Sequence, residues 1–84
     1  MPVRIKFKQF AKNRRSVEVT GQTVRECLDD LVRKLPESQK WLFDKKGIMK
    51  VLVTLNGEDV YQKDFDRPVE DGDELQLILI VGGG

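Results

Sequence analysis

The chain has 84 residues, 39% of them hydrophobic and 35% charged, with 15 Lys and Arg against 14 Asp and Glu. That length allows one domain with a modest core, and the mixture is too apolar for a disordered chain. A lone cysteine, Cys27, excludes an internal disulfide, and the lack of histidine excludes a structural zinc set and most general-base or triad chemistry.

The first segment, VRIKFKQF, alternates strictly. Val3, Ile5 and Phe7 share one side while Arg4, Lys6 and Lys8 share the other, the period-two pattern of a half-buried strand. AKNR reads as a turn, and RSVEVT returns through Val17 and Val19, so residues 2–20 are expected to form a hairpin. Residues 1–15 carry Arg4, Lys6, Lys8, Lys12, Arg14 and Arg15 and no acid. A basic arm can mark nucleic-acid binding. Here the cations alternate along a strand with no aromatic platform beside them, so a solvated face is the preferred reading and no nucleic-acid partner is expected.

TVRECLDDLVRKLP changes to helical period, with Val24, Cys27, Leu28, Leu31, Val32 and Leu35 in one stripe. Thr23 and Glu26 fit a capping box, Lys34 suits the last turn, and Pro36 stops the helix, which is expected over 23–35. Cys27 falls on the apolar stripe and reads as a buried structural thiol. In ESQKWLFDKKGIM, Trp41, Leu42 and Phe43 read as a short helical turn or loop packed on the core, with a partner-binding aromatic patch as the alternative.

KVLVTLNGEDVY predicts a strand, an Asn56-Gly57 hairpin turn and a short return strand through Val60. Phe65 and Val69 are expected to plug the core from a loop held by Pro68. Glu58, Asp59, Asp64, Asp66, Glu70, Asp71, Asp73 and Glu74 make residues 58–74 acidic, a set able to steer the chain toward basic partners. After Asp71-Gly72-Asp73, ELQLILIV alternates again. Leu75, Leu77, Leu79 and Val81 share one face, and Gln76, Ile78 and Ile80 share the other. With the leucines turned to the helix, Ile78 and Ile80 face outward, and Leu52 is expected beside them. Aliphatic residues on an open sheet face suggest a binding surface, unless the 37–49 segment covers them.

The sequence closes on Gly82, Gly83 and Gly84. Glycines without Cβ atoms allow a backbone to enter a narrow pocket and make a mobile tether. The expected organisation is one domain over 1–84 with a flexible tail at 82–84. No apolar run approaches the about 20 residues that span a membrane, and MPVRIKFKQF lacks a signal-peptide core, so a cytoplasmic protein without a membrane partner is expected.

The hairpin, the capped helix, VLVTLNGEDV, VEDGDELQLI and the final Gly83-Gly84 together resemble the β-grasp fold of ubiquitin-like proteins. Specifically, they resemble the prokaryotic sulfur carriers of the MoaD and ThiS type over essentially the whole chain. The resemblance implies an α+β fold, with a mixed sheet of four to five strands packed on one main helix. It implies a carrier rather than an enzyme, although such a carrier can be the small subunit of a synthase complex. In that family a ubiquitin-activating-type enzyme uses ATP and Mg²⁺ to adenylylate the terminal carboxylate, which is then converted to a thiocarboxylate. Carried over, Gly84 is the activated residue, Gly83 its partner in the motif and Gly82 part of the tail. Ile78, Ile80 and Leu52 are expected to dock the body. The implied partners are the activating enzyme, a sulfur donor protein or sulfide, and an acceptor synthase, with no permanently bound cofactor. Molybdopterin, thiamine and cysteine or homocysteine pathways all stay open. Two other functions also stay open, a ubiquitin-like modifier that forms an amide with a lysine and a β-grasp binding module without sulfur chemistry.

Overall fold

The computed structural model describes residues 3–8 and 16–79, with the backbone alone at Lys8 and Leu79. Alternating apolar residues decide where strands form. Val3–Lys8 is β1, Val17–Val19 is β2, Val51–Leu55 is β3, Glu58–Val60 is β4 and Glu74–Leu79 is β5. They make one five-stranded mixed sheet in the order β2-β1-β5-β3-β4. The last strand in sequence lies in the middle of the sheet, parallel to β1 and antiparallel to β3. Its neighbours satisfy its backbone on both sides, so a strand that is late in the chain is held firmly.

The helical stripe forms α1, Val24–Lys34. The Thr23 hydroxyl accepts from the Glu26 N–H at 3.1 Å, as a capping box requires. The Glu26 carboxylate reaches back to the N–H of Gln22 at 2.9 Å, one residue earlier than a standard box. The 65–69 loop completes the cap. The N–H groups of Val24 and Arg25 donate to the carbonyls of Arg67 and Phe65, and Val69 donates to Gln22. The start of the helix thus has its donors satisfied by the chain itself. Phe65 and Val69 are both buried, as the sequence suggested.

Val3, Ile5, Val19, Val24, Leu28, Leu31, Val53, Leu75 and Leu77 join α1 to the inner face of the sheet. Each large aliphatic side chain buried there contributes roughly 1.5–3 kcal/mol. Ser38–Leu42 forms a second, short helix, α2. Leu42 is fully buried in the same core, and Trp41 sits edge-on to Phe7 with ring centroids 5.9 Å apart. Phe7 shares the inward face of β1, so the 37–49 segment packs on the helix side of the sheet. It does not lie over the outer face that carries Leu52 and Ile78.

Candidate functional site

The outer face of the central strands follows from register. Leu52 of β3 is paired with Ile78 of β5, and Ile78 is paired with Lys8 of β1. Both Leu52 and Ile78 are half-buried rather than covered. One rung away, Thr54, Gln76 and Lys6 are neighbours, and the next rung pairs Arg4 with Glu74. Lys6 meets Glu74 at 3.5 Å. Toward the Leu79 end the face therefore carries Leu52 and Ile78 with Lys8 in register beside them, and toward the Glu74 end it carries Arg4, Lys6 and Glu74. The expected adjacency of Leu52 and Ile78 is present. Ile80, Gly82, Gly83 and Gly84 lie outside the described residues.

The Glu74 end is braced by one asparagine. Asn56 and Gly57 adopt φ of 50° and 92°, the positive values that a two-residue hairpin turn requires. The Asn56 amide donates to Asp73 Oδ1 at 3.0 Å and accepts from the Glu74 N–H at 2.9 Å. Asp73 Oδ2 accepts from the Glu70 N–H at 2.8 Å. These bonds, the Glu70 N–H first and the Asn56 amide second, hold the Asp73 carboxyl below its ordinary range. The two turns that the sequence displays separately, NGED and DGDE, are one fastening that fixes where β5 begins.

A second fastening ties α1 to the edge strand β2. Asp30 is buried, and its Oδ2 accepts from the Thr20 N–H at 3.0 Å. Arg33 donates to Oδ1 at 2.6 Å, and Lys34 Nζ lies 3.3 Å from Oδ2. The Thr20 N–H and the Arg33 guanidinium lower the carboxyl to about 2 against the opposing effect of burial, with Lys34 helping. Lys34 also donates to the Glu18 carbonyl at 2.7 Å, so it does more than suit the helix dipole. The sequence reading missed Asp30. Its signal was the spacing of Asp30 to Arg33 and Lys34, three and four residues on and so one turn along the same helix face.

Cys27 is fully buried, and burial pushes its thiol up to about 11, with the Asp30, Glu26 and Asp73 carboxylates adding to the rise. A protonated thiol in the core fits the structural reading. Trp41 and Phe43 are half-buried, so they are mainly core-facing rather than an open aromatic patch. Among the described residues there is no His, Cys, Asp and Glu cluster able to hold a metal ion. No helix in them is long and apolar enough to cross a membrane.

Charge is divided between the two ends of the sheet. The Glu74 end gathers Glu58, Glu70, Asp71, Asp73 and Glu74, with Asp66 at the start of α1. Arg67 pairs with Glu58, Arg25 pairs with Asp66 at 3.1 Å, and Arg4 and Lys6 flank Glu74 on β1, so four cations sit among these six acids. At the other end, Lys50 precedes Val51, the partner of Leu79. Its N–H donates to the Leu42 carbonyl, which brings the 40–50 lobe and its Lys40, Lys45 and Lys46 to that end. The acidic set of residues 58–74 thus lies mostly away from the end at which β5 finishes.

These features match known proteins. A chain of the crystal structure of SAMP1 from Haloferax volcanii superposes with a TM-score of 0.79 at 29% identity, covering 100% of both chains. A chain of the Amycolatopsis orientalis BexX/CysO complex gives a TM-score of 0.73 at 27% identity, covering 98% of this chain and 99% of that one. A chain of the complex of subunits 1 and 2 of molybdopterin-converting factor from Helicobacter pylori 26695 gives 0.68 at 21% identity over 100% of both, a likeness of fold. No curated protein matches the chain in sequence. The model of the ThiS family matches residues 6–84. With that match, the central placement of β5 and the mixed sheet around α1, the chain belongs to the ThiS family, whose members are small β-grasp carrier proteins and not catalysts.

Proposed function

We propose that the chain is a sulfur carrier whose working group is the carboxylate of Gly84. A carboxylate is a poor acyl donor because oxide is a poor leaving group. Activation proceeds by attack of that carboxylate on the α-phosphate of ATP, with pyrophosphate leaving. Mg²⁺ held by the activating enzyme neutralises the phosphate charge. A sulfur nucleophile then attacks the acyl carbon and expels AMP. Sulfide gives the thiocarboxylate directly, whereas the terminal sulfur of a persulfide gives an acyl disulfide, from which a thiol releases the thiocarboxylate by forming a disulfide with the donor sulfur. The product carries sulfur in place of one carboxylate oxygen. This chemistry takes place in partner enzymes, and the chain supplies only the acyl end and the surface that presents it.

The observation that carries the reading is the ThiS family match, which runs through Gly84. The shape of the body supports it. Gly84 follows Leu79 by a stretch that reaches at most about 18 Å when extended. Leu52 and Ile78, half-buried on the outer face, would then hold the body while the glycines enter a pocket, with Ile80 joining them on the alternation of the sequence alone. Two of the similar structures are complexes of paired proteins, which supports an acceptor synthase as partner. The similarity to SAMP1, a small archaeal modifier protein, favours one second reading. There the same activated acyl group passes to a lysine amine and forms an amide.

The test is incubation with ATP, Mg²⁺, a cognate adenylating enzyme and sulfide, followed by intact mass. Exchange of one terminal oxygen for sulfur supports the carrier. A lysine adduct without sulfur exchange supports the modifier, and neither product with an enzyme that adenylylates the chain overturns both.

A further inference from the structure

We infer that the Leu79 end of the molecule is a cationic docking pole, made for a protein surface whose pocket mouth is lined with carboxylates. The inference rests on the carrier reading and adds the chemistry of the partner.

Charge and topology supply the argument. Lys40, Lys45, Lys46 and Lys50 are all exposed, and Lys8 stands in register with Ile78 on the adjacent strand. The backbone fixes where these cations lie. The Lys50 N–H donates to the Leu42 carbonyl, Phe43 is bridged to Met49, and Lys50 Nζ donates to the Lys40 carbonyl at 2.9 Å. The lobe is therefore a closed loop anchored at the end where β3 pairs with Leu79. Two carboxylates belong to it. Asp44 is exposed and caps its own turn, with Oδ1 accepting from the N–H groups of Lys46 at 2.8 Å and Ile48 at 2.9 Å. Glu37 is exposed at the start of α2. The cations outnumber these acids. Ile48, 57% exposed, and half-buried Leu52 and Ile78 give this end apolar contacts as well.

The opposite end carries the excess of carboxylates. Such a molecule is a dipole, and an acidic pocket mouth would draw in the Leu79 end first while repelling the other. The acyl end follows Leu79, so orientation in the field and presentation of the tail coincide. A basic pocket mouth would turn the molecule the wrong way round.

The test is the association rate with the adenylating enzyme that charges the chain, measured by stopped flow. Wild-type association slows about tenfold between about 20 and about 300 mM salt. The double variant Lys45→Glu, Lys46→Glu slows it a further tenfold or so at low salt, with the dissociation rate little changed. Both positions are exposed turn residues, and circular dichroism checks that the variant folds. Glu70→Lys, at the far pole, leaves the rate unchanged or raises it. Charging that occurs at a rate indifferent to salt and to both variants overturns the inference alone. A slowing by Glu70→Lys instead of the lysine variant also overturns it. Retention on duplex DNA that needs Lys45 and Lys46, with enzyme association indifferent to them, reassigns the pole to nucleic acid. A wild-type chain that adenylating enzymes bind but never charge overturns the carrier reading, and this inference falls with it.

Discussion

Replacement of Asp30 by asparagine removes the charge that fastens α1 to β2 while keeping the shape of the side chain. The Asp30 carboxyl lies at about 2 in the folded chain against an ordinary 3.8. At about 1.4 kcal/mol per pH unit, that gap is worth somewhat more than 2 kcal/mol. The partner side chains are open to water, Arg33 at 76% and Lys34 at 47% exposed, so solvent screening trims the figure. About 2 kcal/mol at pH 7 is the expected loss for Asp30→Asn. The folded value is the lower one, so this stability is fully present above the unfolded carboxyl range. It disappears as pH falls from about 4 through about 2, and under about 0.5 kcal/mol of it survives at pH 2. Urea unfolding of wild type and variant at pH 7 and pH 2 measures both gaps. Equal gaps at the two pH values would refute the account, because the loss would then come from shape rather than charge.

Ile78→Asp places a charge on the outer face beside Leu52 and outside the core. It is expected to weaken binding to the adenylating enzyme at least tenfold, by calorimetry or stopped flow, with thermal midpoint nearly unchanged; unfolding of the variant would show that the residue is structural. Gly21→Ala is expected to destabilise by about 1–3 kcal/mol in urea. A Cβ there would lie 2.8 Å from the Cys27 backbone nitrogen and 2.8 Å from Glu26 Cβ, at the fixed start of α1. An unchanged midpoint would mean that the 20–23 turn relaxes freely. The Cys27 thiol is expected to react with a disulfide reagent at pH 8 only as fast as the chain unfolds, because burial keeps it protonated to about 11. Rapid labelling of native protein would contradict that burial.

The elements were legible because each carries its period or its turn residues within a few positions. Val3, Ile5 and Phe7 announce β1, the Leu28 and Leu31 stripe announces α1, and Asn56-Gly57 announces the β3–β4 turn. Leu52 and Ile78 were legible as outward residues from parity alone, once Leu75 and Leu77 were assigned to the core. What the sequence hid is contact between distant segments. Nothing near Asn56 in the chain says that its amide closes on Asp73 and Glu74, 17 and 18 positions away. Asp30 lies off the apolar stripe of its helix, and only the approach of Thr20 makes it a buried acceptor. The 37–49 segment was ambiguous for a related reason. Trp41, Leu42 and Phe43 are consecutive, so period cannot tell which side of the sheet they cover, and the Phe7 contact decides it. The charge of residues 58–74 was plain in the sequence, but its position at the far end from Leu79 depends on sheet order.

Sulfur placement at Gly84 tests the central claim most directly. Wild-type chain and a variant lacking Gly84 are each incubated with ATP, Mg²⁺, sulfide and the adenylating enzyme, and the terminal peptide is sequenced by mass spectrometry. The account predicts one oxygen replaced by sulfur on Gly84 of the wild type and none in the shortened chain. Sulfur found elsewhere in the molecule, or equal thiocarboxylate on the chain without Gly84, would contradict it.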